Sequence, residues 1–149
     1  MLHLVRTTSE HPDFRTLVQL LDQDLAERDG AEHGFYTQYN KIDLIRHAVV
    51  AYQHDQPVGC GAFKEFAADT VEIKRMYVRP ECRQQGVARA VLGELEEWAS
   101  ELGYATAVLE TGKRQPEAIA LYQHSGYALT LNYGQYVGIE NSVCLRKEL

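Results

Sequence analysis

The spacing of apolar positions changes several times along the chain, and each change marks a predicted element. Leu2 and Leu4 open an alternating stretch over residues 2–7, the pattern of a half-buried strand. Phe14, Leu17, Val18, Leu21 and Leu25 then recur at steps of three and four behind Pro12, with Ser9 as a cap. That spacing predicts an amphipathic helix ending near Gly30. Residues 31–45 hold Phe35, Tyr36, Tyr39, Ile42 and Ile45, which fit a second short helix or an ordered loop.

From His47 the pattern is that of strands. Residues 47–53, 58–66 and 70–78 are three apolar, partly β-branched runs joined by short turns at 54–57 and 67–69, an antiparallel meander. Gly59 and Gly61 in the second run predict a close backbone approach. Pro80 ends the third run. A helix follows over about 86–102, with Val87, Val91, Leu92, Leu95 and Trp98 on one stripe and Gly103 as its stop. A strand at 105–109, a helix at 116–124 halted by Gly126, and strands at 127–131 and 142–146 complete the series. The order is β-α-(α)-β-β-β-α-β-α-β-β, a mixed α/β sheet in one layer with helices on both sides.

The 149 residues suit a single domain over 1–149, without repeats or a linker. At 45% hydrophobic and 24% charged, the composition is that of an ordinary globular protein. A net charge of -6 argues against general nucleic-acid binding, which draws on a basic surface. The charge is uneven: residues 1–70 carry 6 basic against 11 acidic side chains, and residues 71–149 carry 9 against 10. Lys74, Arg75, Arg79, Arg83 and Arg89 crowd into one short stretch, which suits a small anionic ligand or simply a solvated face. Cys60, Cys82 and Cys144 form no CxxC pair, and His47, His54 and His124 show no ligand spacing, so neither disulfides nor a metal are expected. Polar residues interrupt the N-terminal stretch, and no run approaches the length of a membrane span. A cytoplasmic protein is the expectation.

The most informative stretch runs from Glu72 to Ala88: an apolar strand, a short turn, and a helix opened by Arg83-Gln84-Gln85-Gly86-Val87-Ala88, the pattern R-x-x-G-x-A. The first amides of a helix have no internal partner and the helix dipole is positive there, so this junction can hold an anion such as a diphosphate. Gly86 and Ala88 leave room, and Arg83 adds charge, with Arg89 as a second source. Neither the spacing of a P-loop nor that of a dinucleotide fold is present. An ordinary tight helix entry is the alternative for this loop taken alone.

A second motif lies downstream, Ala118-Ile-Ala-Leu121-Tyr122-Gln-His-Ser-Gly126-Tyr127, or A-x-x-L-Y-x-x-x-G-Y. With both motifs in this order, the chain resembles the GNAT family of N-acetyltransferases, in element order over nearly its whole length and in motif detail over residues 70–130. The resemblance implies a mostly antiparallel sheet of about seven strands, splayed between the fourth and fifth to form a cofactor cleft. It implies acetyl-CoA as co-substrate. The backbone of Met76, Tyr77 and Val78 would meet the pantetheine arm, and the amides of Arg83, Gln84, Gln85, Gly86, Val87 and Ala88 the pyrophosphate. A backbone N–H near Val78 would hold the oxyanion. Tyr122 falls on the family's acid, which protonates the departing thiolate. The family often has an Asn seven residues before that tyrosine; here it is Gln115, a departure, as is Ala88 where Gly is more usual.

Attack on a thioester needs an acceptor for the proton of the amine. Glu72 is the candidate base, 14 residues before Gly86, the spacing at which histone-type family members carry their glutamate. The alternative is a structural carboxylate paired with Lys74 on the same strand face. Tyr122 likewise has a purely packing alternative on its helix face. His33, Tyr36, Tyr39 and Asn40 fall where the family covers its acceptor, and Tyr133 and Tyr136 in a later loop either contact substrate or pack. The expected activity is acetyl transfer to a primary amine of a small molecule or protein. The acidic first half favours a cationic acceptor, with a free amino acid left open. A non-catalytic acyl-CoA-binding module is the competing reading, and a nucleotide-binding regulatory domain that uses the same loop for ATP is a third. The resemblance also admits a homodimer.

Overall fold

The computed structural model describes residues 1–29 and 45–149. The expected second helix at 31–45, apart from Ile45, and the acceptor-lining group His33, Tyr36, Tyr39 and Asn40 lie outside the described residues.

Seven strands form one sheet: β1 (Leu2–Thr7), β2 (His47–Gln53), β3 (Gln56–Ala67), β4 (Thr70–Val78), β5 (Thr106–Gly112), β6 (Ala128–Thr130) and β7 (Ser142–Glu148). Three helices accompany it among the described residues: α1 (Pro12–Asp29), α2 (Val87–Glu101) and α3 (Pro116–His124). The strand order is β1-β2-β3-β4-β5-β7-β6, and every pairing is antiparallel except β4 with β5. The expected sheet is present, as is the expected order of elements among the described residues.

Each face of the sheet is closed by a helix whose apolar stripe the sequence spells out. On one face Val91, Leu92, Leu95 and Ala99 of α2 are fully buried against Val49, Phe63, Val71, Ile73 and Leu109. On the other, Phe14, Leu17, Val18 and Leu21 of α1 cover Ala48, Val50, Cys60, Ala62 and Tyr77. Full burial of one such side chain contributes about 1.5–3 kcal/mol. The two glycines of β3 let α2 lie close. A Cβ on Gly59 would come within 2.7 Å of Val87 Cγ1, and one on Gly61 would collide with Met76, Val91 and Leu95.

Two irregularities interrupt the sheet at its centre. The β4–β5 ladder pairs only Thr70–Ile73 with Thr106–Leu109, after which the strands part while β5 stays paired to β7 as far as Gly112. In β4 itself the register against β3 shifts between Cys60 and Ala62, where Arg75 stands at φ +61°. This is a bulge, and a residue in that conformation breaks the strict in–out alternation of a strand. β5 is also longer than its apolar run: the sequence pattern predicts an end at 109, whereas the strand continues through Glu110, Thr111 and Gly112.

Candidate active site

Two cavities that share lining residues lie where β4 and β5 part. The larger, about 430 Å³, is lined by Met76, Tyr77 and Val78 on β4, by Arg83, Gln84, Gly86, Val87, Ala88 and Arg89, and by Gln115, Leu121 and Tyr122 across the gap. Nine of the ten residues expected to meet acetyl-CoA line it. Gln85 is the exception, and its side-chain amide points toward the Glu81 carbonyl at 3.5 Å.

The loop between β4 and α2 has its form from local rules. Arg79-Pro80 starts a 3-10 turn over Pro80–Cys82, and Gln84 and Gly86 then adopt φ of +63° and +82°. Gly86 is the residue before the first turn of α2 and provides no side-chain cap, so the leading helix amides are left to the groove. A Cβ built on Gly86 meets nothing within 4 Å, so it is the left-handed backbone conformation that favours glycine here, and the space beside it is open. Arg83 is partly committed within the protein. Its Nε donates to the Val78 carbonyl at 2.9 Å and its guanidinium lies 5.6 Å from the centre of the Tyr77 ring. Arg89 donates to the His124 carbonyl at 3.2 Å, tying α2 to the end of α3.

The smaller cavity, about 110 Å³, is lined by Glu72, Lys74 and Arg75 of β4, Glu110 and Thr111 of β5, and Tyr136. Met76, Gln115, Ala118 and Tyr122 border both cavities, so Tyr122 stands where the two meet. Its ring is buried and sits edge-on to Tyr127 at 5.9 Å. Burial, and then the negative charge of Glu110, push its pKa well above the ordinary phenol value and keep the hydroxyl protonated.

Glu72 is 3% exposed. The Tyr133 hydroxyl donates to its Oε2 at 2.8 Å, and Lys64 Nζ lies 4.0 Å from its Oε1. Tyr133 therefore reaches β4 from the segment before β7. It is braced by edge-on contacts with Phe66 at 4.9 Å and Tyr136 at 5.7 Å. Lys74 is 7% exposed, and burial lowers its pKa while Glu72 and Glu110 act in the opposite sense.

Glu110 escapes the sequence pattern. Its Oε2 accepts a hydrogen bond from the Ser142 hydroxyl at 2.7 Å, and it faces the smaller cavity with Glu72. Because Glu72 is in register with Val108, and Ala107 and Leu109 pack into the α2-side core, Glu110 continues the Glu72 face just beyond the point of divergence. The signal that could have found it is the alternation of β5, carried past the last apolar residue of the strand. His47, by contrast, is a packing residue, stacked on Phe63 at 4.7 Å and edge-on to Trp98 at 4.8 Å. Among the described residues no cluster of His, Cys, Asp and Glu has metal-ligand geometry, and no helix is long and apolar enough to cross a membrane.

Comparison with known proteins bears on the family and the fold. A model of the acetyltransferase (GNAT) family matches residues 14–127. An IAA acetyltransferase of Azospirillum brasilense is 36% identical over 105 residues, 68% of this chain and 67% of the relative. A solved structure described as an acyl-CoA N-acyltransferase, from Klebsiella pneumoniae, superposes with a TM-score of 0.83 at 26% identity, covering 100% of this chain and 98% of the other. The PaiA N-acetyltransferase of Thermoplasma acidophilum, solved in complex with coenzyme A, shares the fold with a TM-score of 0.74 at 16% identity, covering 100% and 99%. The chain belongs to the GNAT family and is an N-acetyltransferase.

Proposed function

We propose that this protein transfers the acetyl group of acetyl-CoA to a primary amine by direct attack, with Glu72 as base and Tyr122 as acid. The observation that carries the reading is the position of Tyr122, a buried and protonated phenol bordering both cavities. One cavity ends at the uncapped amides of α2, which suit a pyrophosphate. The other is lined by the carboxylates of Glu72 and Glu110, which suit an amine.

When bound, acetyl-CoA supplies the activated acyl group as a thioester. The protein has three tasks. Loop 83–88 and the unpaired edge of β4 at Met76–Val78 anchor and orient the donor. Glu72, directly or through water, takes the proton that the amine must lose as the C–N bond forms. Tyr122 gives its proton to the sulfur as the C–S bond breaks. Positioned acid–base groups of this kind typically contribute about 10²–10⁴ in rate. The Tyr133 hydrogen bond holds one Glu72 oxygen, Oε2, in place.

A thermal shift series tests the cofactor half of the reading: acetyl-CoA, CoA and ATP on the wild type and on Gly86→Asp. A ligand binding only the native state raises the melting temperature with its occupancy. Stabilisation by acetyl-CoA and CoA but not ATP, lost in Gly86→Asp, is the expected result. No shift with any of the three would remove the cofactor assignment, and the roles of Glu72 and Tyr122 with it.

A further inference from the structure

The charges around the smaller cavity are mixed, and their arrangement narrows the acceptor. Successive residues of a strand normally point to opposite faces. The bulge at Arg75, with φ +61°, sets Lys74 and Arg75 side by side on the same cavity as Glu72 and Glu110. Two carboxylates and two cations thus surround a space of about 110 Å³. Both cations are withdrawn from solvent: Lys74 is 7% exposed and the Arg75 side chain 5%. Arg75 Nη1 donates to Asp22 Oδ1 at 2.8 Å, but its buried Nε has no hydrogen-bond partner among the described residues. A buried donor without a partner is costly, so the Arg75 Nε is the group that a ligand would satisfy.

The donor's phosphates do not account for these two side chains. The amides suited to a pyrophosphate belong to the larger cavity, whose lining includes neither Lys74 nor Arg75. Nor does a polyamine suit them. Among the described residues, counting the ion-pair partners Asp22 and Lys64, the cluster holds as many acidic as basic side chains, three (Glu72, Glu110, Asp22) against three (Lys74, Arg75, Lys64). A polycation would add positive charge beside a buried lysine. A small zwitterion keeps the balance and offers one charge to each half of the cluster.

We propose that the acceptor is a small zwitterion carrying a carboxylate next to its amine, in the manner of a free amino acid. Its amine faces Glu72 and Glu110, and its carboxylate is received by Lys74 and Arg75. The proposal rests on the acetyl-transfer reading and specifies its acceptor class.

The test uses matched acceptors that differ only by the carboxylate, phenylalanine against phenethylamine and leucine against isoamylamine, with spermidine as the polycation. CoA thiol release and product mass are read on the wild type, Lys74→Met, Lys74→Arg and Arg75→Gln. The wild type should favour the amino acid of each pair by about tenfold or more in kcat/KM, the size of effect expected of charged hydrogen bonds. Lys74→Met and Arg75→Gln should raise KM for the amino acid and bring the ratio toward one, and Lys74→Arg should restore part of it. Equal or better turnover of spermidine or the decarboxylated amines by the wild type overturns the proposal, as does failure to acetylate either amino acid. Acetyl-CoA binding, followed by thermal shift on the same samples, separates the two levels. If it is present, only the acceptor assignment falls; if it is absent, the acetyl-transfer reading falls as well. Should a variant not fold, the wild-type ratios decide alone.

Discussion

Tyr133 donates its hydroxyl to Glu72 Oε2 at 2.8 Å, joining the segment before the last strand to the middle of the sheet. The pair spans 61 residues of sequence and is walled by Phe66 and Tyr136. It makes the orientation of the proposed base depend on a residue far away in the chain. Tyr133→Phe should therefore lower kcat by about tenfold, as expected for loss of a hydrogen bond to a charged group. The Kd for acetyl-CoA should hardly change. Glu72→Gln should cost about 10²-fold or more. Steady-state kinetics alongside CoA titration separates the two effects, and an unaltered kcat in Glu72→Gln would remove that residue from the mechanism.

Tyr122→Phe should reduce kcat by about 10²-fold while leaving acetyl-CoA binding in place. A pH profile adds a second check. Burial and Glu110 raise the Tyr122 pKa above its ordinary value of 10.0, so this hydroxyl should stay protonated throughout the usual assay range. Wild-type kcat should show no alkaline loss attributable to Tyr122 below pH about 10. A loss that vanishes in the phenylalanine variant would contradict this.

The close approach of β3 and α2 gives a stability prediction. Valine at Gly61 must displace Met76, Val91 or Leu95, and overpacking of this kind costs about 1–3 kcal/mol. For a chain of this size the melting temperature should fall by about 2–4 °C for each kcal/mol. Because Met76 borders both cavities, the acetyl-CoA shift should weaken as well.

The three thiols should behave differently. Cys60 is 0% exposed and burial pushes its pKa up to about 12, and Cys144 is 1% exposed and pushed up to about 11. Cys82 is partly exposed and lines the larger cavity. A thiol reagent should titrate one cysteine in the native protein and three in denaturant, with CoA slowing the native reaction. The two buried thiols also set a pH dependence. Their folded pKa values lie above the unfolded value of about 9, so the folded state holds more protons above that pH. Stability should be level below pH about 9 and fall as pH rises toward 11–12, and Cys60→Ala should make the fall shallower. Denaturant titrations from pH 7.5 to 10.5 measure it.

Much of this structure is visible in the one-dimensional pattern. The α1 and α2 stripes and the three-strand meander follow from apolar spacing, and β1, β4 and α3 begin and end where turn residues say they should. The loop at 83–88 is legible because Gly86 needs a left-handed conformation that few residues tolerate. The hidden part depends on tertiary geometry. Glu110 lies past the last apolar residue of β5, where pairing with β7 rather than hydrophobicity keeps the strand extended. The partner of Glu72 is Tyr133, from a loop whose position only the closed sheet defines. Lys74 and Arg75 share a cavity because of a bulge, and a Lys-Arg pair within a strand does not announce one.

The ladder between β4 and β5 closes for four residues and then stops. Mechanically, the sheet is a zip left half open along its central seam, with β1–β4 on one flap and β5–β7 on the other. A ligand lying in that opening would serve as a substitute strand, fastening both flaps and drying the backbone of Lys74–Val78 together. Hydrogen exchange along this edge should slow as one block when acetyl-CoA binds, so that catalytic readiness and the cohesion of the sheet become the same event.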